Sequence, residues 1–188
     1  DTMGAGDAFF AVTAPMSKHG NISDLLMIGN AAGALKTQII GHSSSVNKTA
    51  LIEYLKSSGT EEVRKAKRVY IIGNGGSYAN AAHMANDLLS IGVKAYTLDA
   101  ATLTASANDF GYETVFERWI NSVGEKGDLL IALSGSGKSQ NILRAIAAAE
   151  TIGMDIHHIF GAMRGENMQD AEESQIRIGH DLMRALKK

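Results

Sequence analysis

Val69-Tyr70-Ile71-Ile72-Gly73-Asn74-Gly75-Gly76-Ser77, running on from Tyr78 into an alanine-rich stretch, is the segment whose reading decides the fold. Four consecutive apolar, β-favouring residues read as a strand buried on both faces. The glycines that follow permit positive φ and a close approach of backbone, so they mark a sharp turn. A helix begins directly after the turn, and a helix N-terminus offers free N–H groups and a favourable dipole to an anion. By itself such a turn is equally well a plain strand-to-helix connection, because short glycine motifs are weak signals.

The arrangement recurs downstream. Asp128 to Leu133 (DLLIAL) reads as a second strand, and Ser134-Gly135-Ser136-Gly137-Lys138-Ser139 leads into NILRAIAAAE. Hydroxyls and backbone N–H groups gather there where a phosphate could sit. Working outward, KAYTL and DIHHIF are further short β-rich runs. Helices are expected from about Tyr78, over Glu113–Val123, from about Ser139 and over Asp170–Leu186. Strand and helix alternation implies an α/β fold, a doubly wound parallel sheet with helices on both faces. In such a sheet ligands bind at the carboxyl ends of strands, where both Gly/Ser turns fall.

The second turn also imitates a nucleotide-binding P-loop, since ALSGSGKS has Ala132 where the first glycine of G-x-x-x-x-G-K-[ST] belongs. Magnesium would then need an acidic residue at another strand end, and Asp99 after KAYTL is the one at hand. The missing glycine weighs against this reading.

Composition bounds the rest. The chain of 188 residues is 45% hydrophobic and 20% charged with a formal net charge of -2, which excludes a strong basic field for nucleic acid or an anionic membrane. It has no cysteine, so no disulfide, thiolate metal site or cysteine nucleophile is available. No run approaches the roughly 18 apolar residues of a membrane span. DTMGAGDAFF lacks the features of a signal peptide. A cytoplasmic setting is expected. The absence of an initiator Met suggests a fragment.

GNGGS, AAHMANDL, ASANDFGYETVFERW, LSGSGKS and QIRIGHDL occur in that order over about Lys67 to Leu186. In this order and spacing they resemble the SIS family, and within it the phosphoheptose isomerases. The resemblance implies a flavodoxin-like SIS fold and aldose–ketose isomerisation of sedoheptulose 7-phosphate to D-glycero-D-manno-heptose 7-phosphate, a step of heptose biosynthesis. It further implies a homotetramer with sites between subunits. It assigns phosphate binding to Ser134, Gly135, Ser136 and Ser139, with Asn74, Gly75 and Ser77 from the first turn, and a substrate contact to Asp109.

The resemblance also places a metal and acid–base set on His83, Asp87, Glu172 and His180, with zinc as the cofactor, Asp87 as base and His180 as acid–base partner. Glu172 is a further substrate contact. Asp87 stands where the family carries Glu, and Glu172 where it carries Gln, so reach and charge both change. Positions 83 and 87 share a helix face by their spacing of four, while 172 and 180 lie just over two turns apart on nearly one face. Without metal, the carboxylates would pair with the histidines. His19, His42, His157 and His158 read as surface or interface residues. These departures leave a second reading open, a non-catalytic SIS module that binds a sugar phosphate or a partner protein. The family has a strand between the turn after DIHHIF and the last helix. Gly161 to Asn167 leaves no room for it, so an edge strand is expected to be missing.

Asp1-Thr2-Met3-Gly4-Ala5-Gly6-Asp7 resembles the signature of PfkB-type sugar kinases. That resemblance implies an anion hole at Gly4, Ala5 and Gly6, with Asp7 as the base. The sugar-binding part that precedes it in that family is absent, so kinase activity is not expected. Residues 1–57 then read as a mainly helical kinase remnant, in a parent that fuses kinase and isomerase, and residues 58–188 as the SIS domain.

Overall fold

A computed structural model describes residues 59–160 and 167–187, together with the single residue Ala32. The chain divides into two compact units, Asp1–Ser58 and Gly59–Lys188. The kinase-type motif, His19 and His42 lie outside the described residues, as does the segment 161–166 where the missing edge strand was expected.

In the second unit a helical stretch over residues 59–65 leads to β1 (Val69–Ile72), α1 (Gly76–Ser90), β2 (Ala95–Tyr96), α2 (Ala100–Phe110) and a 3-10 turn at Tyr112–Thr114. α3 (Val115–Val123), β3 (Leu129–Ser134), α4 (Gln140–Ile152), β4 (Asp155–Phe160) and α5 (Met168–Leu186) complete it. The four strands of the described residues form one parallel sheet in the order β2-β1-β3-β4. The chain moves outward from β1 to β2, then crosses to the other side of β1 for β3. Winding reverses between β1 and β3, so that gap is the switch point at which such sheets open a crevice.

Strand side chains alternate between two cores, as the period of two requires. Tyr70, Ile72, Leu130 and Ala132 pack against Phe116 and Ile120 of α3 and Ile142, Ala145 and Ala149 of α4. Val69, Ile71, Leu129, Ile131 and Leu133 pack against Ala81, Met84 and Leu88 of α1 and Leu182 of α5. Helices cover both faces, and β1 and β3 are buried along their whole length. The doubly wound α/β reading is what the structure holds.

Two elements differ from the expectation. KAYTL forms ladder pairs only at Ala95 and Tyr96, because β2 meets β1 only at Val69 and Tyr70. α2 was not anticipated. Asp99 caps it, its carboxylate accepting from Thr102 N at 2.9 Å and Thr102 Oγ1 at 2.6 Å. None of its residues is fully buried, and its apolar stripe is short, with Leu103 and Ala107 packed on the core among small and polar residues that give a weak helical signal.

Candidate functional site

The two Gly/Ser turns leave the adjacent strands β1 and β3 side by side. Gly75 holds φ 55° and Gly137 φ 64°, a left-handed backbone that glycine adopts without a Cβ penalty. Gly73 permits a close approach, since a Cβ there would stand 2.6 Å from the backbone carbonyl of Ser77. α1 and α4 therefore both start at the switch point, with their N-termini at the same sheet edge.

A pair of amides ties the turns together. Asn74 Nδ2 donates to Asn141 Oδ1 at 2.9 Å, and Asn141 Nδ2 donates to Asn74 Oδ1 at 2.8 Å. Tyr112 Oη donates to the same Asn74 oxygen at 2.8 Å. The Asn74 side chain, expected to face the substrate, is thus engaged within the protein. The turns meet, as the sequence reading requires, through a partner that reading did not contain.

The hydroxyls divide by role. Ser134 Oγ accepts from Gly137 N at 3.0 Å, and Ser136 Oγ accepts from Lys138 N at 3.2 Å, which shapes the second turn while leaving each O–H free to donate. Ser139 is the N-cap of α4 yet makes no side-chain capping bond, and Ser77 is buried at the start of α1. The backbone of Gly135 faces Met168 and Ala171 at the start of α5. A cavity of about 180 Å³ flanks the first turn, lined by Gly73, Asn74, Gly75, Tyr78, Leu103 and Tyr112 among others.

A second group of side chains stands on α1 and α5. His83 Nε2 lies 3.0 Å from His180 Nε2, 3.4 Å separates His83 Nε2 from Asp87 Oδ2, and 3.8 Å separates His180 Nε2 from Asp87 Oδ2. The rings meet edge to face with centroids 5.2 Å apart. Gly179 packs closely at this level, where a Cβ would come within 2.9 Å of the Met84 Cε methyl. Two imidazole nitrogens and one carboxylate oxygen within 4.8 Å of one another form a possible metal-binding group. Tetrahedral zinc with bonds of about 2.0–2.2 Å holds its ligand atoms roughly 3.3–3.6 Å apart. The donor types of His83, Asp87 and His180 suit that ion, and their spacings of 3.0, 3.4 and 3.8 Å bracket the tetrahedral range, so small side-chain shifts would seat it.

Glu172 is not in this group. A Cβ on Gly76 would overlap the Glu172 carboxylate, which places that side chain at the first residue of α1. Eight residues put 172 roughly 12 Å from 180 along α5, and here the Glu172 side chain turns toward Gly76 instead of toward the imidazoles. Sharing a face is not sharing a site. Asp109 also stands apart, since it lines a different cavity with Arg118 and Trp119 and accepts a hydrogen bond from Asn108 Nδ2 at 2.9 Å. Asp99, needed for a P-loop reading, is spent on capping α2, and its hydrogen bonds to Thr102 hold its carboxyl below the usual range.

His157 and His158 are not simple surface residues. His157 Nδ1 lies 2.8 Å from the Glu62 carboxylate. Burial pushes the pKa of His158 down, and neighbouring His157 adds to that effect, while Glu150 and Glu62 oppose it. Neither histidine lies within the His83, Asp87 and His180 group.

Fold and turns together define a doubly wound α/β protein with two Gly/Ser turns side by side at its switch point. The SIS domain family matches residues 38–161. The chain is 35% identical over 150 residues to the phosphoheptose isomerase of Akkermansia muciniphila, covering 73% of this chain and 79% of that protein. It is 40% identical over 120 residues to that of Sodalis glossinidius, covering 60% of this chain and 61% of the relative. A solved phosphoheptose isomerase structure from Francisella tularensis superposes with a TM-score of 0.67 at 21% identity, over 88% of this chain and 95% of that one; that likeness speaks to the fold. The chain belongs to the SIS domain family, among the phosphoheptose isomerases.

Proposed function

We propose that this chain interconverts sedoheptulose 7-phosphate and D-glycero-D-manno-heptose 7-phosphate by proton transfer through an enediol or enediolate. The observation that carries the reading is the convergence of His83, Asp87 and His180 on the α1–α5 face, in a chain whose two Gly/Ser turns meet at the switch point. Ser77, Ser134, Ser136 and Ser139, with the N–H groups at the starts of α1 and α4, supply donors for a phosphate dianion.

Asp87 takes the proton from carbon, and His180 handles the proton at the neighbouring oxygen. An imidazole, with an ordinary pKa near 6.5, can serve in both directions of a reversible isomerisation. Alternatively the His83 and His180 rings and the Asp87 carboxylate would hold zinc, which as a Lewis acid would supply charge stabilisation at the substrate oxygens; His180 would then act as a ligand in place of its proton-carrying role. The carboxylate of Asp87 is one methylene shorter than that of Glu, so its short distances to both rings matter for that role.

In one chain the His83 side chain is about half exposed. A site on an open surface excludes water poorly, so a homotetramer with sites between subunits fits the reading; light scattering of the purified protein tests it. The DTMGAGD motif supports a kinase-type remnant by its sequence alone, and ATP-dependent phosphorylation of a sugar is not expected. No helix among the described residues is long and apolar enough to cross a membrane, and a cytoplasmic enzyme acting on a small phosphorylated sugar is the setting proposed.

The test is incubation with sedoheptulose 7-phosphate, with and without added zinc, followed by detection of the aldose. Asp87→Asn removes the base while keeping size and should lower kcat by about 10²–10⁴. Full activity in that variant overturns the assignment of Asp87. The position of Glu172, away from the histidines, favours the alternative of a binding module; ligand-induced thermal stabilisation with no turnover by the wild type would support that alternative.

A further inference from the structure

The structure assigns Asn141 as a positioning residue. It is buried at 3% exposure in the first turn of α4, and nothing in its chemistry suits proton transfer. Its amide makes three hydrogen bonds. Two are the reciprocal pair with Asn74 at 2.9 and 2.8 Å, and the third is accepted by Asn141 Oδ1 from Ile142 N at 3.0 Å. That third bond fixes which end of the amide is oxygen, and the reciprocal pair then fixes the orientation of Asn74.

Asn74 sits in one Gly/Ser turn, and Asn141 begins the helix that follows the other. Each turn carries a glycine at positive φ, Gly75 in the first and Gly137 in the second. Loose glycine turns do not by themselves hold donors at a set separation. The part-buried amide pair does, because breaking it leaves the buried Asn141 amide without its partner and away from water. Tyr112, half exposed on the 3-10 turn, completes the acceptor capacity of Asn74 Oδ1 from the solvent side. We infer that this clamp sets the gap in which the phosphate end of the substrate is gripped, and that Asn141 acts on phosphate affinity through Asn74 without touching the reacting carbons. This inference rests on the proposed isomerase reading for its kinetic test, but not for its binding test.

The experiment compares wild type with Asn141→Ala, Asn141→Ser, Asn74→Ala and the Asn74→Ala/Asn141→Ala double variant. Two readouts are used: KM and kcat for sedoheptulose 7-phosphate, and binding of inorganic phosphate followed by 31P NMR titration. Each single variant should raise KM and the phosphate dissociation constant about tenfold, as if one hydrogen bond to the phosphate were lost through misplacement of the turn, with kcat within twofold of wild type. The double variant should be no worse than either single one, as expected for two residues acting as a unit. Unchanged phosphate affinity in folded variants, or strictly additive effects, overturns the proposal. So does failure of every variant to fold, which would make the pair a folding element only. If the wild type shows no turnover, the isomerase reading fails, and the phosphate titration still decides the clamp.

Discussion

At the scale of single residues, space and protonation dictate what each position can do. Gly73 lies so close to the first turn of α1 that any side chain meets backbone, which cannot rotate away. Gly73→Ala should therefore displace the start of α1 and weaken binding of sedoheptulose 7-phosphate at least tenfold, measured by calorimetric titration, with a lower unfolding midpoint. His158 offers a different test. Its pKa is lowered by burial, so the unfolded chain binds a proton more readily than the folded one. Stability contributed by the neutral ring is present above the ordinary value near 6.5 and is lost as pH falls from there toward the folded pKa. Thermal unfolding of the wild type should show that decline on the acid side, and His158→Gln should flatten it. A pH profile identical in the two proteins would argue against the burial effect.

At the scale of elements, α5 brings His180 to His83, and its register depends on how it begins and on what it meets. Asn167 caps it, Oδ1 accepting from Asp170 N at 3.0 Å. Asn167→Ala should lower stability by roughly 1 kcal/mol, measured by urea unfolding, and should fray the end near Gly135 before it affects the middle of the helix. The same element explains why Glu172 and His180 part company. Counting residues on a helix tells which face a side chain occupies, whereas the direction the side chain takes from that face decides whether one ion can be shared, and Glu172 turns toward Gly76. β1, β3 and β4 were legible because each is a short apolar run bounded by turn residues. α2 was not, because in a helix of mostly alanine, threonine and serine the stripe of Leu103, Ala107 and Phe110 is too sparse to stand out, and none of its residues is fully buried.

At the scale of the whole unit, two cores flank one sheet and support the switch point from both sides. Phe116 is fully buried between α3 and the sheet. Phe116→Ala should cost about 3–5 kcal/mol by chemical denaturation, through lost burial and the cavity left behind. Activity of the surviving folded fraction should stay close to wild type, because Phe116 belongs to the apolar core between α3 and the sheet and carries no group for binding or proton transfer.

Local order of residues was enough to establish that β1 and β3 end in glycine turns, that helices follow each of them, and that His83 and Asp87 share a face, since these depend on neighbours along the chain and on helical period. The meeting of His180 with His83, the turning of Glu172 away from that pair, the placing of Asp109 beside a separate cavity, and the Asn74–Asn141 tie were decided only by tertiary packing. Each is a distance between segments tens of residues apart, set by how closely α1 and α5 and the two strand ends approach, and no periodicity in the chain encodes such an approach.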